Sequence, residues 1–448
     1  MMLQKVFNLV RNKYFLSLAG NVIMSGLGLI TMTLIYRSLS KSDAGTWVFF
    51  QSILLLIDTF RSGFLTTAFI KFYAGASKER TAEVAGSAWF LGLCITGILA
   101  LVSVCSWPFL GYIKDEGLMM FFKYSGIYYA LSLPWFIATC VIQGDQQFGK
   151  LLYIRLSNQG SFILFIVALL IAGKMSIQYV LFAYLTSNLL TSIFALSKRW
   201  SRISTLKQRT TESIKDIFNF GKYSVGTTLS SNLFNTSDTF IINFTLGKQA
   251  LAIYNLGQTL MQLVEIPLRS FAVTAMPELA AAYNQNSREN VIRIMKKYTG
   301  MLTVMLIPAA IIGCALADLP IYIIGGGKYA GTEAANVFRL FLTFAILFPP
   351  DRFFALTLDV IHRPQVNFYK VLLMLAVNIS TDFLGYYLTH SVYGIAGATV
   401  FPVLTGAIVG YWALNKYSSF SFWSIFKVGY EETVLLVRQM LNKRKLQS

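Results

Sequence analysis

Twelve apolar runs of roughly 20 residues follow one another along this 448-residue chain, and a run of that length crosses a bilayer as one helix. Their approximate bounds are 15–36, 46–70, 86–112, 118–143, 151–173, 177–197, 223–246, 250–275, 298–324, 336–361, 366–389 and 393–414. This pattern constrains the fold more than any other feature. Inside lipid every backbone N–H and C=O must be satisfied within the protein, which leaves helices or a closed barrel, and runs of this length are helical. Composition agrees: 55% of residues are hydrophobic, 13% are charged and the mean hydropathy is +0.58. Those values describe a polytopic membrane protein and not a soluble domain.

The longest connection between runs is about 25 residues, too short for a globular domain of roughly 50 or more. Lys5, Arg11 and Lys13 precede the first run as they would in a signal peptide. That run continues past the length of a signal and has no Ala-x-Ala site, so it reads as a retained first span.

A net charge of +18 raises the question of nucleic acid. With the amino terminus in the cytoplasm, about 27 of the 38 Lys and Arg fall on the cytoplasmic side, which is the positive-inside rule and not a nucleic-acid footprint. The densest cluster, "SKRWSRISTLKQRTTESIK" at 197–215, lies between the sixth and seventh runs and reads as a contact for anionic membrane lipids. The tail "FWSIFKVGYEETVLLVRQMLNKRKLQS" reads as an amphipathic helix on the cytoplasmic face. Both termini are thus expected in the cytoplasm. Cys94, Cys105, Cys140 and Cys314 lie inside runs at unrelated spacings and read as buried small hydrophobes, with no disulfide or metal pattern.

The two halves of the chain repeat. "LSKSDAGTWVFFQS" begins at Leu39 and "LGKQALAIYNLGQT" at Leu246, an offset of 207 that pairs Lys41 with Lys248, Gln51 with Gln258 and Asp58 with Glu265. One residue of slippage then aligns "RSGFLT" at Arg61 with "RSFAVT" at Arg269. Six spans per copy is an even number, so both copies enter from the same side and are parallel repeats. The expected fold is all-α, with about 12 transmembrane helices in two six-helix lobes related by a pseudo-twofold axis along the membrane normal, around a central cleft. The lobes are 1–200 and 217–416, joined by a basic linker at 201–216 and followed by the tail at 417–448.

Charged residues inside spans are expensive, about 2.5–3.5 kcal/mol each on insertion scales, and those retained usually face a wet path. Asp58 and Arg61 are three apart and Glu265 and Arg269 four apart, so each acid shares a helical face with its arginine. The plain alternative is that each helix neutralises its own charge. A third arginine, Arg352, follows Asp351 and the Pro349–Pro350 pair, which breaks or kinks its helix. Three arginines meeting in one cleft would make an anion site suited to phosphate, with Asp58, Glu265 and Asp351 as their partners. Asp238, in "LFNTSDTFIIN", is the candidate for coupling to H⁺ or Na⁺; a hydrogen bond to Asn232 or Asn235 is the alternative. Asp382 reads as structural.

The stretch "IIGGGKYAGTEAANVF" at 323–338 lacks phosphate-loop spacing and reads as a turn. Only His362 and His390 are present, both near span ends. No catalytic residue, cofactor site or metal site is found, so a carrier and not an enzyme is expected.

Three stretches carry a family resemblance. "LIYRSLSKSDAGTWVFFQSIL" is similar to the "aR-x-L-x-x-x-D-x-G" signature of Wzx-type polysaccharide flippases, in the MATE-like multidrug/oligosaccharidyl-lipid/polysaccharide (MOP) superfamily. "FNFGKYSVGTTLSSNLFNTSDTFIINFTLGKQALAIYNLGQ" resembles that family's second-lobe opening, and "VIQGDQQFGK" its short loop after span four. The resemblance runs from Lys13 to about Lys416. It implies a flippase of the bacterial inner membrane that moves undecaprenyl-diphosphate-linked oligosaccharide from the cytoplasmic to the periplasmic leaflet, alongside glycan polymerase machinery. Arg61, Arg269 and Arg352 would meet the diphosphate. The first span, "LAGNVIMSGLGLITMTLIY", lacks the Arg-Asp element expected of the lipid II branch, so the implied cargo is an O-antigen or capsule repeat unit. The competing reading is a MATE-like ion-coupled drug or cation antiporter, in which Asp238 is essential and the arginines are replaceable.

Overall fold

A computed structural model describes residues 13–445, and every regular element among them is helical. Lys5 and Arg11, which shaped the reading of the first span's flank, lie outside the described residues. The helices are α1 (Lys13–Ser38), α2 (Lys41–Tyr73), α3 (Lys78–Ser106), α4 (Glu116–Gly144), α5 (Phe148–Ile171) and α6 (Ile177–Ser197). They continue with α7 (Thr211–Thr245), α8 (Lys248–Leu260), α9 (Gln262–Asn284), α10 (Arg288–Ala315), α11 (Asp318–Gly325) and α12 (Ala334–Phe344). The remainder are α13 (Phe348–Val360), α14 (Pro364–Thr389), α15 (Val392–Ala398), α16 (Val400–Tyr417) and α17 (Trp423–Lys445).

Local chemistry sets several starts. Ser40, Ser77 and Asp115 accept from the backbone N–H three residues on and so cap α2, α3 and α4, satisfying donors that the helix itself cannot. All twelve expected spans fall on helix. Nine helical stretches among the described residues are long and apolar enough to cross a membrane; the other expected spans fall on α1, α7 and the α8–α9 pair. The expected eighth span is divided at Met261, between α8 and α9. The expected tenth span is also divided: α12 ends at Phe344, a short 3-10 turn follows, and Pro349 and Pro350 sit in the first turn of α13, where a missing N–H costs nothing.

Large apolar side chains stay outside the packing on many helices: Leu101, Leu164, Ile311 and Leu388 are each at least 65% exposed. Water would not tolerate such a surface, whereas lipid does. Cys94 and Cys105 belong to it as well. They are exposed on α3, so the expectation that all four cysteines are buried is corrected: Cys140 is buried, Cys314 is intermediate, and all four are free.

The chain divides into two compact units, Met1–Thr239 and Phe240–Ser448. Sequence placed the lobe boundary in the linker at 201–216; the contacts divide the chain later, inside α7. The amino-terminal part of α7 packs on α2, where a Cβ at Gly63 would lie 3.2 Å from Thr228 Cβ, and Phe218 meets Phe64 edge-on. In the first unit α4 is the most enclosed span, packed on α2, α3 and α6. Gly126 lets α3 approach it, since a Cβ there would sit 3.0 Å from Ala100 Cα. In the second unit α10 packs on α9, α13 and α17, and α14 packs on α15 and α16.

Candidate functional site

α2 and α4 build the charged centre of the first unit. Spacing of three places Asp58 and Arg61 on one face of α2, and Arg61 Nη2 lies 2.8 Å from Asp58 Oδ1. Arg61 Nη1 donates to Ser132 Oγ on α4 at 2.9 Å, and the guanidinium stacks over Phe136 and Tyr129, 4.2 and 5.2 Å from their centroids. Arg61 is only 1% exposed. Sequence reading expected an arginine open to a cleft; here aromatic rings and a hydroxyl enclose it, because α4 presents Tyr129, Ser132 and Phe136 on the face that meets α2. Asp58 is the reachable member, with 28% of its side chain exposed.

A chain of hydroxyls extends from that carboxylate. Tyr128 Oη donates to Asp58 Oδ2 at 3.0 Å, and Tyr184 Oη on α6 donates to Tyr128 Oη at 3.4 Å. The two rings stack with centroids 5.5 Å apart. Carboxylate, guanidinium and phenols therefore form one polar network inside the span region, of the sort that is stable only when its members are satisfied together. Sequence reading missed Tyr128, Ser132 and Tyr184. Nothing in the local pattern marks them, since tyrosine and serine are unremarkable in spans and their partners lie 56 to 71 residues away.

The second unit holds the repeat-equivalent pair. Arg269 Nη2 lies 2.5 Å from Glu265 Oε2 on α9, and here both side chains are open, 65% and 47% exposed. Arg352 is exposed on α13, and no ion pair forms on it among the described residues. Its expected partner is corrected. Asp351 pairs instead with Lys370 of α14, Nζ to Oδ1 2.6 Å, because adjacent residues on a helix point about 100° apart and cannot share a face.

Lys370 was missed, and its signal is visible in retrospect. The buried residues of α14 are Lys370, Met374, Asn378 and Asp382, one every fourth position, so a polar stripe faces inward on an otherwise exposed helix. Asn378 Nδ2 donates to Asp382 Oδ2 at 3.1 Å, which fits the structural reading of Asp382. Asp238 is 5% exposed on α7, beside Ser237 and Thr239. Asn232 gives its amide to the Thr228 carbonyl at 3.0 Å. No group of three or more His, Cys, Asp or Glu able to hold a metal occurs among the described residues.

The basic linker is docked and not loose. Trp89 Nε1 donates to the Ser201 carbonyl at 2.7 Å, and Arg80 bonds Ser213 and Asp216 at 2.8 and 2.6 Å. Arg202 reaches Asp145 at 3.4 Å and covers the Tyr73 ring. Lys198, Arg199, Lys207, Arg209 and Lys215 remain exposed on this fixed segment.

Comparison with known proteins follows the same lines. The family profile described as "Polysaccharide biosynthesis protein" matches residues 10–282, and the profile described as MatE matches residues 224–384. The probable low-salt glycan biosynthesis flippase Agl15 of Haloferax volcanii is 21% identical over 395 residues, 87% of this chain and 79% of its own. Among solved structures, the lipid II flippase MurJ in an inward closed conformation superposes with a TM-score of 0.73 at 13% identity, covering 95% of this chain and 92% of that one. An inward-facing multidrug resistance MATE family transporter of the MOP superfamily gives a TM-score of 0.71 at 14% identity, covering 93% and 95%. Those two likenesses establish the fold, that of a multi-pass helical membrane protein. With a profile that spans more than half of its length, the chain belongs to the polysaccharide biosynthesis protein family.

Proposed function

We propose that the chain moves oligosaccharide repeat units linked to undecaprenyl diphosphate from the cytoplasmic to the periplasmic leaflet of the inner membrane, by alternating access of the two lobes. The observation that carries this reading is that the acid and arginine at repeat-equivalent positions are joined in both halves, Asp58–Arg61 at 2.8 Å and Glu265–Arg269 at 2.5 Å. An arginine retained inside a span and already held by an acid is primed for exchange: a diphosphate offers the guanidinium more charge and the same forked geometry. Arg269, open to approach, is the first contact in this account. Arg61 engages once Asp58 turns toward the phenol of Tyr128, and the acids reclaim their arginines on release. Arg352 is a third, exposed contact. No covalent step is required.

Membership of the polysaccharide family and the glycan role of the Haloferax volcanii relative support a glycan cargo. The asymmetry of Lys and Arg supports cytoplasmic termini, and a product delivered outside would pass to glycan polymerase machinery. Coupling through Asp238 to H⁺ or Na⁺ completes the cycle. The test is glycan display in cells whose own copy is deleted. Wild type restores it; the Arg61→Glu, Arg269→Glu double variant, present in the membrane at the wild-type level, does not. Normal display by that variant overturns the reading.

The MatE match over residues 224–384 favours a second reading, an ion-coupled drug or cation antiporter. It predicts cation efflux that survives Arg61→Ala and Arg269→Ala and is abolished by Asp238→Asn.

A further inference from the structure

Arg155 stands in the eighth position of α5, inside an apolar helix long enough to span the membrane. It differs from Arg61 and Arg269, which have acid partners, and from Arg352, which is exposed where Arg155 is partly buried. Among the described residues no carboxylate pairs with it. Its hydrogen bond goes to a neutral amide, Nη1 to Asn21 Oδ1 of α1 at 3.3 Å. The carboxylate nearest to this region in sequence, Asp145, is engaged by Arg202 at 3.4 Å. A cation kept in a span without a counter-charge of its own is costly unless a charge arrives from outside the chain.

A cavity is present to receive one. A partly open cavity of about 190 Å³ is lined by Arg155 with Gly20, Asn21, Gln143, Phe148, Leu151 and Leu152. Its polar wall is rich in donors, a five-donor guanidinium beside two carboxamides, and holds no acid. Its other wall is Phe148 and the two leucines. The volume lies below the roughly 300–1,000 Å³ of sites for drug-sized molecules, so it suits a headgroup. Only 17% of the apolar window of α5 is buried, which leaves that helix facing lipid. A Cβ on Gly20 would lie 3.5 Å from Leu152 Cδ1, so any larger side chain there enters the cavity.

We propose that this cavity binds the phosphate group of a membrane lipid, with Arg155 as the charge, Asn21 and Gln143 as the orienting amides and the leucines against the first methylenes. The chemistry is shared by a bilayer phospholipid and by a prenyl diphosphate, and the test separates them. Full-length protein is titrated with phosphatidylglycerol, farnesyl diphosphate and, as a phosphate-free control, diacylglycerol, with bound lipid counted by native mass spectrometry. Arg155→Gln is expected to weaken at least one phosphate-bearing lipid tenfold or more and to leave diacylglycerol unchanged. Gly20→Leu, which keeps the guanidinium but fills the space, should do the same, and Arg155→Lys should stay within about threefold of wild type. Loss confined to phosphatidylglycerol assigns the site to the bilayer; loss confined to farnesyl diphosphate assigns it to a prenyl carrier. Binding of both within twofold of wild type in Arg155→Gln, or equal loss of all three lipids, overturns the proposal. The readout is binding alone, so it succeeds or fails independently of transport.

Discussion

Asp58 Oδ1 lies 2.8 Å from Arg61 Nη2 while its other oxygen accepts from Tyr128 at 3.0 Å, so one carboxylate ties an enclosed cation on α2 to a chain of phenols on α4 and α6. Removing the acid leaves a buried guanidinium uncompensated. Asp58→Ala is expected to cost about 3 kcal/mol, the lower end of the range for breaking a buried pair because 28% of the Asp58 side chain meets solvent. Removing both charges, as Asp58→Ala with Arg61→Met, is expected to cost less than Asp58→Ala alone. Thermal unfolding in detergent, run as a double-mutant cycle, reads the difference; equal losses in the single and double variants would remove the pair from the account.

Lys370 is buried to 2% exposure and held by Asp351 at 2.6 Å, which joins α14 to α13 inside the second unit. Asp351→Ala therefore strands a lysine, and the expected loss is about 3–5 kcal/mol, recovered in large part by adding Lys370→Met. Arg352→Ala, next in sequence but exposed, should move stability by less than about 0.5 kcal/mol. Comparable losses from Asp351→Ala and Arg352→Ala would show that the assigned partner is wrong.

The linker owes its fixed position to Trp89, Gly86 and Arg80. A Cβ on Gly86 would meet the Arg209 backbone nitrogen at 3.0 Å, and Arg80 grips Asp216 at the start of α7 at 2.6 Å. Gly86→Leu and Arg80→Ala should each release the segment, and trypsin should then cut after Lys207 or Arg209 several-fold faster than in wild type. Unchanged cleavage would mean the linker is already free.

The carboxy-terminal helix is anchored by a glycine on each side. A Cβ on Gly300 of α10 would lie 2.7 Å from Gly429 Cα of α17, so the two backbones touch. The tail thus includes a docked helix. Gly429→Val should lift α17 and raise amide exchange across 423–435, while Lys427→Ala on the exposed side leaves exchange as it was.

The fold was legible in the sequence because spans announce themselves by length and hydropathy; all twelve runs lie on helix. Local charge pairs were legible too, since Asp58–Arg61 and Glu265–Arg269 need only helical spacing. What was hidden depends on a second helix. Adjacency suggested Arg352 for Asp351, whereas the partner, Lys370, comes from the following helix across a packed face. Lys370 itself sits near the start of α14, where a lysine ordinarily reaches out to the headgroups. Ser132, Tyr128 and Tyr184 carry no charge to draw notice, and Arg155 had no acid within a helical turn to flag it. The boundary between units shifted from the linker into α7 for the same reason: the early part of α7 is held by contacts to α2 and α3 that no local pattern encodes.

The most direct test of the central claim is transbilayer movement itself. The protein is reconstituted in liposomes with a fluorescent sugar linked to a prenyl diphosphate, and accessibility to an added glycosidase is followed over time. The account predicts that wild-type protein exposes the inner-leaflet pool, that Arg269→Ala slows exposure at least tenfold, and that the Arg61→Glu, Arg269→Glu variant matches protein-free liposomes. Protein-free rates with wild type, or wild-type rates with the double variant, would contradict it.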